Sequence, residues 1–273
     1  MSSIFLQAVE HTRGELPGSF AVCAERLDDG VPGAPSRLAW NEEAVFPAAS
    51  VIKIAVALAA LAAIDEGTLD AHERLVLREH DRVPGSGVLG ALESGLAPTV
   101  GDLLHLAIAI SDNTATNKLI ERVGVPAVNE RLARCGLVTT RLTGRIFVEG
   151  EHGELSPTTA AELVALLRWA HAQAPRLVSL LGRTQTASTI GRGLPDERFP
   201  GVARATPPIV LAYKTGSLEG ILAEAAIVTS PRADYAVAVL STGSGDLRPN
   251  HDNVARVHLG AVSGAVYRTF TAR

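Results

Sequence analysis

Strand patterns stand at the two ends of this chain, and between them, from Ser50 to about Leu181, one helical segment follows another. A sheet needs its strands side by side, so the two end segments must come together and the helical stretch must bulge out between them. This order predicts an α/β unit made of residues 1–45 and 205–273, interrupted by an all-α unit of residues 46–204. At 273 residues the chain is long enough to bury the core that such an arrangement requires.

The local signals give the expected elements. A helix runs over about Ser2 to Gly14, and strands over Phe20–Leu27 and Arg37–Trp40 flank a Gly- and Pro-rich turn. Val51–Ile64 is apolar apart from Lys53 near its start, and Val51–Gly67 reads as a buried helix that Gly67 can end. Val100–Ser111 follows Thr99, a capping residue, with Asp102 in its first turn. Thr114–Val123 and Pro126–Cys135 each stop at a glycine, and Pro157–His171 is expected to start behind Ser156 with the proline in its first turn. Strands return at Ile209–Lys214, Ala223–Thr229 and Tyr235–Ser241, and a helix from about Asn253 closes the chain.

Composition removes several classes. A net charge of −4 leaves no basic surplus to neutralise phosphates, so no nucleic-acid partner is expected. The 14-residue run Val51–Ile64 is too short to span a bilayer. Met1 to Gly14 lacks a basic start followed by an apolar stretch; this predicts no signal peptide and a cytoplasmic chain, or a periplasmic or secreted one if a leader has been removed. Cys23 and Cys135 have neither metal spacing nor a disulfide framework, and Cys23 reads as a small buried hydrophobe. Eight His include no H-E-x-x-H, so no metal or cofactor is expected. Nothing in the distribution of apolar residues suggests a dimer face, and a monomer is expected.

The basic residues are 22 Arg and only three Lys, at 53, 118 and 214. Arg stays protonated in proteins, whereas a buried Lys can lose its proton and act as a base. Lys53 lies three residues after Ser50, one turn along a helix, so its amine is expected within reach of a hydroxyl that needs a base. An apolar helix desolvates Lys53 and lowers its pKa, and the helix start offers N–H groups to a developing oxyanion. Lys214-Thr215-Gly216-Ser217 ends a strand and could hold a carboxylate while the strand edge pairs with substrate. Ser111-Asp112-Asn113 ends an apolar helix and offers a hydroxyl for proton relay and an amide for grip. Composition alone would produce all three motifs on the order of a few times in a hundred thousand. Lys118 has no assigned role and is expected on a solvated helix face.

With these three motifs the chain resembles the class A β-lactamases and penicillin-recognising serine hydrolases over nearly its whole length. Ser111 to Asn117 resembles that family's extended second motif, and Thr99 to Leu104 the lead-in to it. The resemblance implies a β-lactamase-like fold, with an antiparallel sheet flanked by terminal helices beside a helical domain, and an active site in the cleft between them. It implies a serine hydrolase that opens a β-lactam ring through an acyl-enzyme on Ser50, with Lys53 as base and Ser111 as proton relay to the leaving nitrogen. It further implies that Asn113 holds the substrate's side-chain amide, that Lys214, Thr215 and Ser217 bind its carboxylate, and that the N–H groups of Ser50 and Ser217 form the oxyanion hole. The substrate would be a small molecule, a β-lactam or a related amide or ester.

Two departures matter. The family deacylates with a Glu in a Glu-x-x-x-Asn pattern; here the stretch Leu142 to Thr158 is short and no Glu in it has an Asn four residues on. Glu149 is the first choice for the deacylating base and Glu151 the second, with Asn117 in place to support the loop. Tyr235 is expected where the family often has a carboxylate-binding Arg on the strand after K-T-G. The alternative is therefore a related esterase, amidase or D-Ala-D-Ala peptidase-like enzyme with slow deacylation, or a non-catalytic penicillin-sensing domain. Gly85 to Gly90 matches G-x-G-x-x-G without the strand and helix of a dinucleotide site; the resemblance puts it at the rim of the cleft.

Overall fold

The computed structural model describes residues 3–28, 35–148, 155–195 and 209–272. In chain order α1 (Ser3–Glu15), β1 (Ser19–Arg26), β2 (Arg37–Trp40) and β3 (Phe46–Pro47) come first. A 3-10 turn (Ala49–Ile52) runs into α2 (Lys53–Asp65), followed by α3 (Val100–Ala109), α4 (Asn113–Val123) and α5 (Val125–Arg134). Next come β4 (Pro157–Thr158), α6 (Ala160–Gln173), α7 (Pro175–Leu181) and the short α8 (Thr189–Arg192). Strands β5 (Val210–Leu218), β6 (Ile221–Thr229) and β7 (Tyr235–Thr242) and helix α9 (Val254–Thr271) complete the chain.

The end segments do come together. β1 pairs with β7, in register from Ser19 opposite Thr242 to Arg26 opposite Tyr235, and the five-stranded antiparallel sheet has the order β2-β1-β7-β6-β5. Alternation along the strands sends side chains to two buried faces. One face carries Val22, Val237, Val239 and Val228 against Phe5 and Val9 of α1 and Leu259, Val262 and Phe270 of α9. The other carries Ala21, Cys23, Ala223, Ala225 and Ala238, small enough for the helical stretch to pack closely, and it shares one core with α2 and α6. Cys23 is thus the small buried hydrophobe expected.

Helix α2 is apolar on all sides and is buried continuously from Lys53 to Leu61, as a helix without a polar face must be. Each of its large aliphatic side chains contributes roughly 1.5–3 kcal/mol by leaving water. The Thr99–Asp102 capping box starts α3, with Thr99 Oγ1 accepting from Asp102 N and Asp102 Oδ2 accepting from Thr99 N. No helix among the described residues is long and apolar enough to cross a membrane.

Two expectations about the helices fail. Pro157 does not start a helix: it pairs with Pro47 in the β3–β4 ladder, and Thr159 caps α6 instead. Proline has no N–H to give, so it fits a two-residue strand as well as a first turn, and the partner strand decides. Lys118 is not solvated. It is buried and forms ion pairs with Asp81 at 3.2 Å and Glu121 at 2.9 Å, tying α4 to the loop before residue 90.

Candidate active site

A cleft of about 600 Å³ opens between the 3-10 turn, the end of α3 and β5. Ser50, Ser111, Asn113, Thr215 and Ser217 line it together, although 167 positions separate the first from the last. Ser50 sits in the 3-10 turn just after Ala49, a non-glycine residue held at φ 45°. Ser111 is left-handed as well, at φ 59°. The two left-handed residues, Ala49 and Ser111, place backbone strain beside both hydroxyls that line the cleft.

Lys53 is fully buried one turn into the chain after Ser50. Its Nζ donates to Ser111 O at 2.6 Å, to Ser111 Oγ at 3.1 Å and to Asn113 Oδ1 at 2.6 Å. Among the described residues no hydrogen bond joins it to Ser50 Oγ, so the amine is held by the second motif and not by the hydroxyl three residues before it. Burial pushes the Lys53 pKa well down, the positive charge of Lys214 pushes it the same way, and Asp112 opposes them.

Lys214 arrives from the opposite wall. It too is buried, its Nζ donates to Thr215 O at 2.8 Å, and desolvation lowers its pKa to about 7 against the pull of Glu224. Gly216 faces the 3-10 turn so closely that a Cβ there would lie 2.7 Å from Ser50 N and 3.0 Å from Val51 N. Only glycine lets β5 approach, and this approach is what brings the backbone around Ser217 and Ser50 to one end of the cleft. Thr215 Oγ1 is hydrogen-bonded to Thr186 Oγ1 at 2.8 Å.

Tyr235 is elsewhere. It lies on β7, wholly buried, with its ring 5.2 Å from that of Phe270 on the far face of the sheet. The strand after K-T-G is β6, and opposite Thr215 it carries Glu224. This fully buried carboxyl accepts from Ser188 Oγ and, at 2.6 Å, from Thr189 N, while burial raises its pKa to about 7. The guanidinium at this end of the cleft is that of Arg256, from α9, whose Nη1 donates to Thr189 Oγ1 at 3.4 Å. Neither Glu224 nor Arg256 carries a local sequence signal, because strand pairing and helix docking put them there.

The glycine-rich loop rims the cleft, as the resemblance implies, with Gly85 and Ser86 in its wall. Asn117 holds the next wall in both directions, with Oδ1 accepting from Ile146 N at 2.7 Å and Nδ2 donating to Ile146 O at 2.8 Å. The residue it presents to the cleft is therefore an isoleucine, flanked by Phe147 at φ 52°. Glu149, Glu151 and Glu154 lie outside the described residues.

A family profile described as the "Beta-lactamase enzyme family" matches residues 6–270. The chain belongs to this family. Among solved structures it is similar to a β-lactamase from Sphaerobacter thermophilus, with 29% identity, 97% of this chain and 96% of that chain covered, and a TM-score of 0.82. It is similar to PBP-A, with 25% identity over 99% of this chain and 96% of that one and a TM-score of 0.82. A variant of PBP-A, described as an acyl-enzyme complex with penicillin G, also matches, at 25% identity over 98% and 96% with a TM-score of 0.80. The protein is a hydrolase of the β-lactamase type, with that family's fold of helices around an antiparallel sheet.

Proposed function

We propose that this family member is a serine acyl-enzyme hydrolase of β-lactams or related amides and esters, working in the cleft between a sheet unit (residues 1–45 and 205–273) and a helical unit (residues 46–204). The observation that carries the reading is the buried Lys53 amine, bonded to Ser111 and Asn113 one turn from Ser50. In this reading neutral Lys53 takes the Ser50 proton as Oγ attacks the substrate carbonyl, and the oxyanion is held by the N–H groups of Ser50 and Ser217. Ser111 passes a proton from Lys53 to the leaving nitrogen as the C–N bond breaks. Water then cleaves the acyl-enzyme and restores the Ser50 hydroxyl. Asn113 grips the acyl-side amide, and Lys214, Thr215, Ser217 and Arg256 receive the carboxylate.

Glu149 is the proposed deacylating base. One observation favours the slower alternative, a peptidase- or esterase-like enzyme that holds its acyl group: the wall residue that Asn117 grips by both backbone groups is Ile146, which cannot activate water. Intact mass followed over time with benzylpenicillin, beside Ser50→Ala, tests both readings. A transient adduct with released product supports hydrolysis assisted by Glu149. A persistent adduct supports the slow reading, and no adduct on Ser50 defeats the assignment to β-lactams.

A further inference from the structure

The glycine-rich loop at residues 85–90 is fitted to the second motif more tightly than a rim requires. A Cβ at Gly85 would lie 2.6 Å from Asn113 Nδ2, and one at Gly87 would run into the Asp112 carboxylate. Asp112 Oδ2 accepts from Val88 N at 2.6 Å and Leu89 N at 2.8 Å, Asn113 N donates to Ser86 O at 3.0 Å, and Asn113 Nδ2 donates to Pro84 O at 2.8 Å. The loop cannot slide along the motif without breaking several of these bonds. The one side chain that it places between the two glycines is Ser86, whose Oγ donates to Ser111 O at 2.6 Å and lies 3.4 Å from Asn113 Oδ1.

Ser111 O is also the acceptor of Lys53 Nζ, at the same 2.6 Å. We infer that Ser86 is a positioning residue for Lys53: its hydroxyl shares the Ser111 carbonyl with the lysine and so weakens that carbonyl's hold on the lysine's protonated form. A carbonyl oxygen has two lone pairs, and one that already accepts from a hydroxyl is a poorer acceptor for an ammonium. A hydrogen bond to the charged form favours that form, so a competing donor favours release of the proton. The other charged groups facing Lys53 are Lys214 from β5, which acts in the same direction, and Asp112 beyond α3, which opposes it. Ser86 needs no charge to act, and the left-handed backbone of Ser111 aims the carbonyl at both donors.

The catalytic consequence rests on the proposed role of Lys53 as base; the titration itself does not. The chain has three lysines, so ε-¹³C-lysine labelling gives three resonances, which Lys118→Arg and Lys214→Arg assign. Ser86→Ala is expected to raise the Lys53 midpoint by about half a pH unit, and Ser86→Thr, which keeps the hydroxyl, to restore it. The acidic limb of the rate of acylation by benzylpenicillin should move up by the same amount in Ser86→Ala, with the alkaline limb unmoved. An unchanged or lowered midpoint in folded Ser86→Ala, or a Ser86→Thr that titrates like the alanine variant, overturns the inference. If the midpoint moves as expected while wild-type Ser50 is never acylated, the inference stands and the proposed function falls.

Discussion

The two walls of the cleft each hide a lysine, and they hide it differently. On the helical wall Lys53 is surrounded by acceptors of the second motif, and its nearest charges are a repelling lysine and one carboxylate. On the strand wall Lys214 has one backbone acceptor, and the charge that supports it is Glu224 on the neighbouring strand. The helical wall is bonded to itself before any substrate arrives, and preorganised groups of this kind suit the moving of a proton. The strand wall offers a strand edge, hydroxyls and two cations, which suit the holding of an anion. The walls are also coupled, because the charge of Lys214 pushes the Lys53 pKa down.

The contrast predicts a graded series of effects. The largest belongs to Lys53→Arg, which keeps the charge but cannot release the proton: acylation measured by mass is expected to fall about 10³–10⁴-fold, and near-normal acylation would end the division of labour between the walls. Gly216→Ala should follow, with a loss of about 10²–10³-fold. Its methyl must push β5 away from Ser50 N, so kcat should drop for charged and neutral substrates alike. Arg256→Ala should raise KM about tenfold for a carboxylate substrate, as loss of one charged hydrogen bond would, and leave the methyl ester of that substrate unchanged. An equal effect on the ester would move Arg256 out of the recognition wall.

The smallest effect is one of stability. Glu224 has a folded pKa of about 7 against an unfolded value near 4.5, so the folded state keeps a proton that the unfolded chain gives up. Its contribution is fully present below pH 4.5 and is lost as pH rises through 7. Lys214, depressed to about 7, works in the opposite sense above that pH, where the unfolded chain still binds the proton. Glu224→Gln should therefore flatten the fall in Tm between pH 5 and 7 while leaving the alkaline side in place; an unaltered slope would show that Glu224 does not couple to folding.

Much of this was legible along the chain, and the exceptions share a cause. The ends of α2, α4 and α5, the capping box at Thr99 and the strands from 210 onward follow from periodicity and from glycines at helix ends, all local signals. The residues Ser50, Lys53, Ser111, Asn113, Lys214, Thr215 and Ser217 were marked by motif, and the fold brings them together. Lys118 defied its reading because a hydrophilic side chain in an amphipathic helix looks solvated until Asp81, 37 residues away, turns out to face it. Tyr235 was misassigned although Ala223–Thr229 reads as a strand: the strand after K-T-G is that one, and only the pairing register shows that Glu224 stands opposite Thr215 while Tyr235 lies one strand further on. Glu224 and Arg256 carried no mark at all, since an acid in a strand or an arginine on a helix acquires meaning only from what packs beside it.

The sequence by itself determined the order of strands and helices, the three motifs and the rarity of lysine, because these depend on residue type and near spacing. Tertiary structure alone decided that Lys53 is held by Ser111 and Asn113 rather than by Ser50, that Ile146 fills the place gripped by Asn117, and that an acid on β6 lies opposite Thr215 of β5. Hydrogen-bond partners and desolvation depend on distances in space between residues far apart in the chain, and no local pattern encodes those distances.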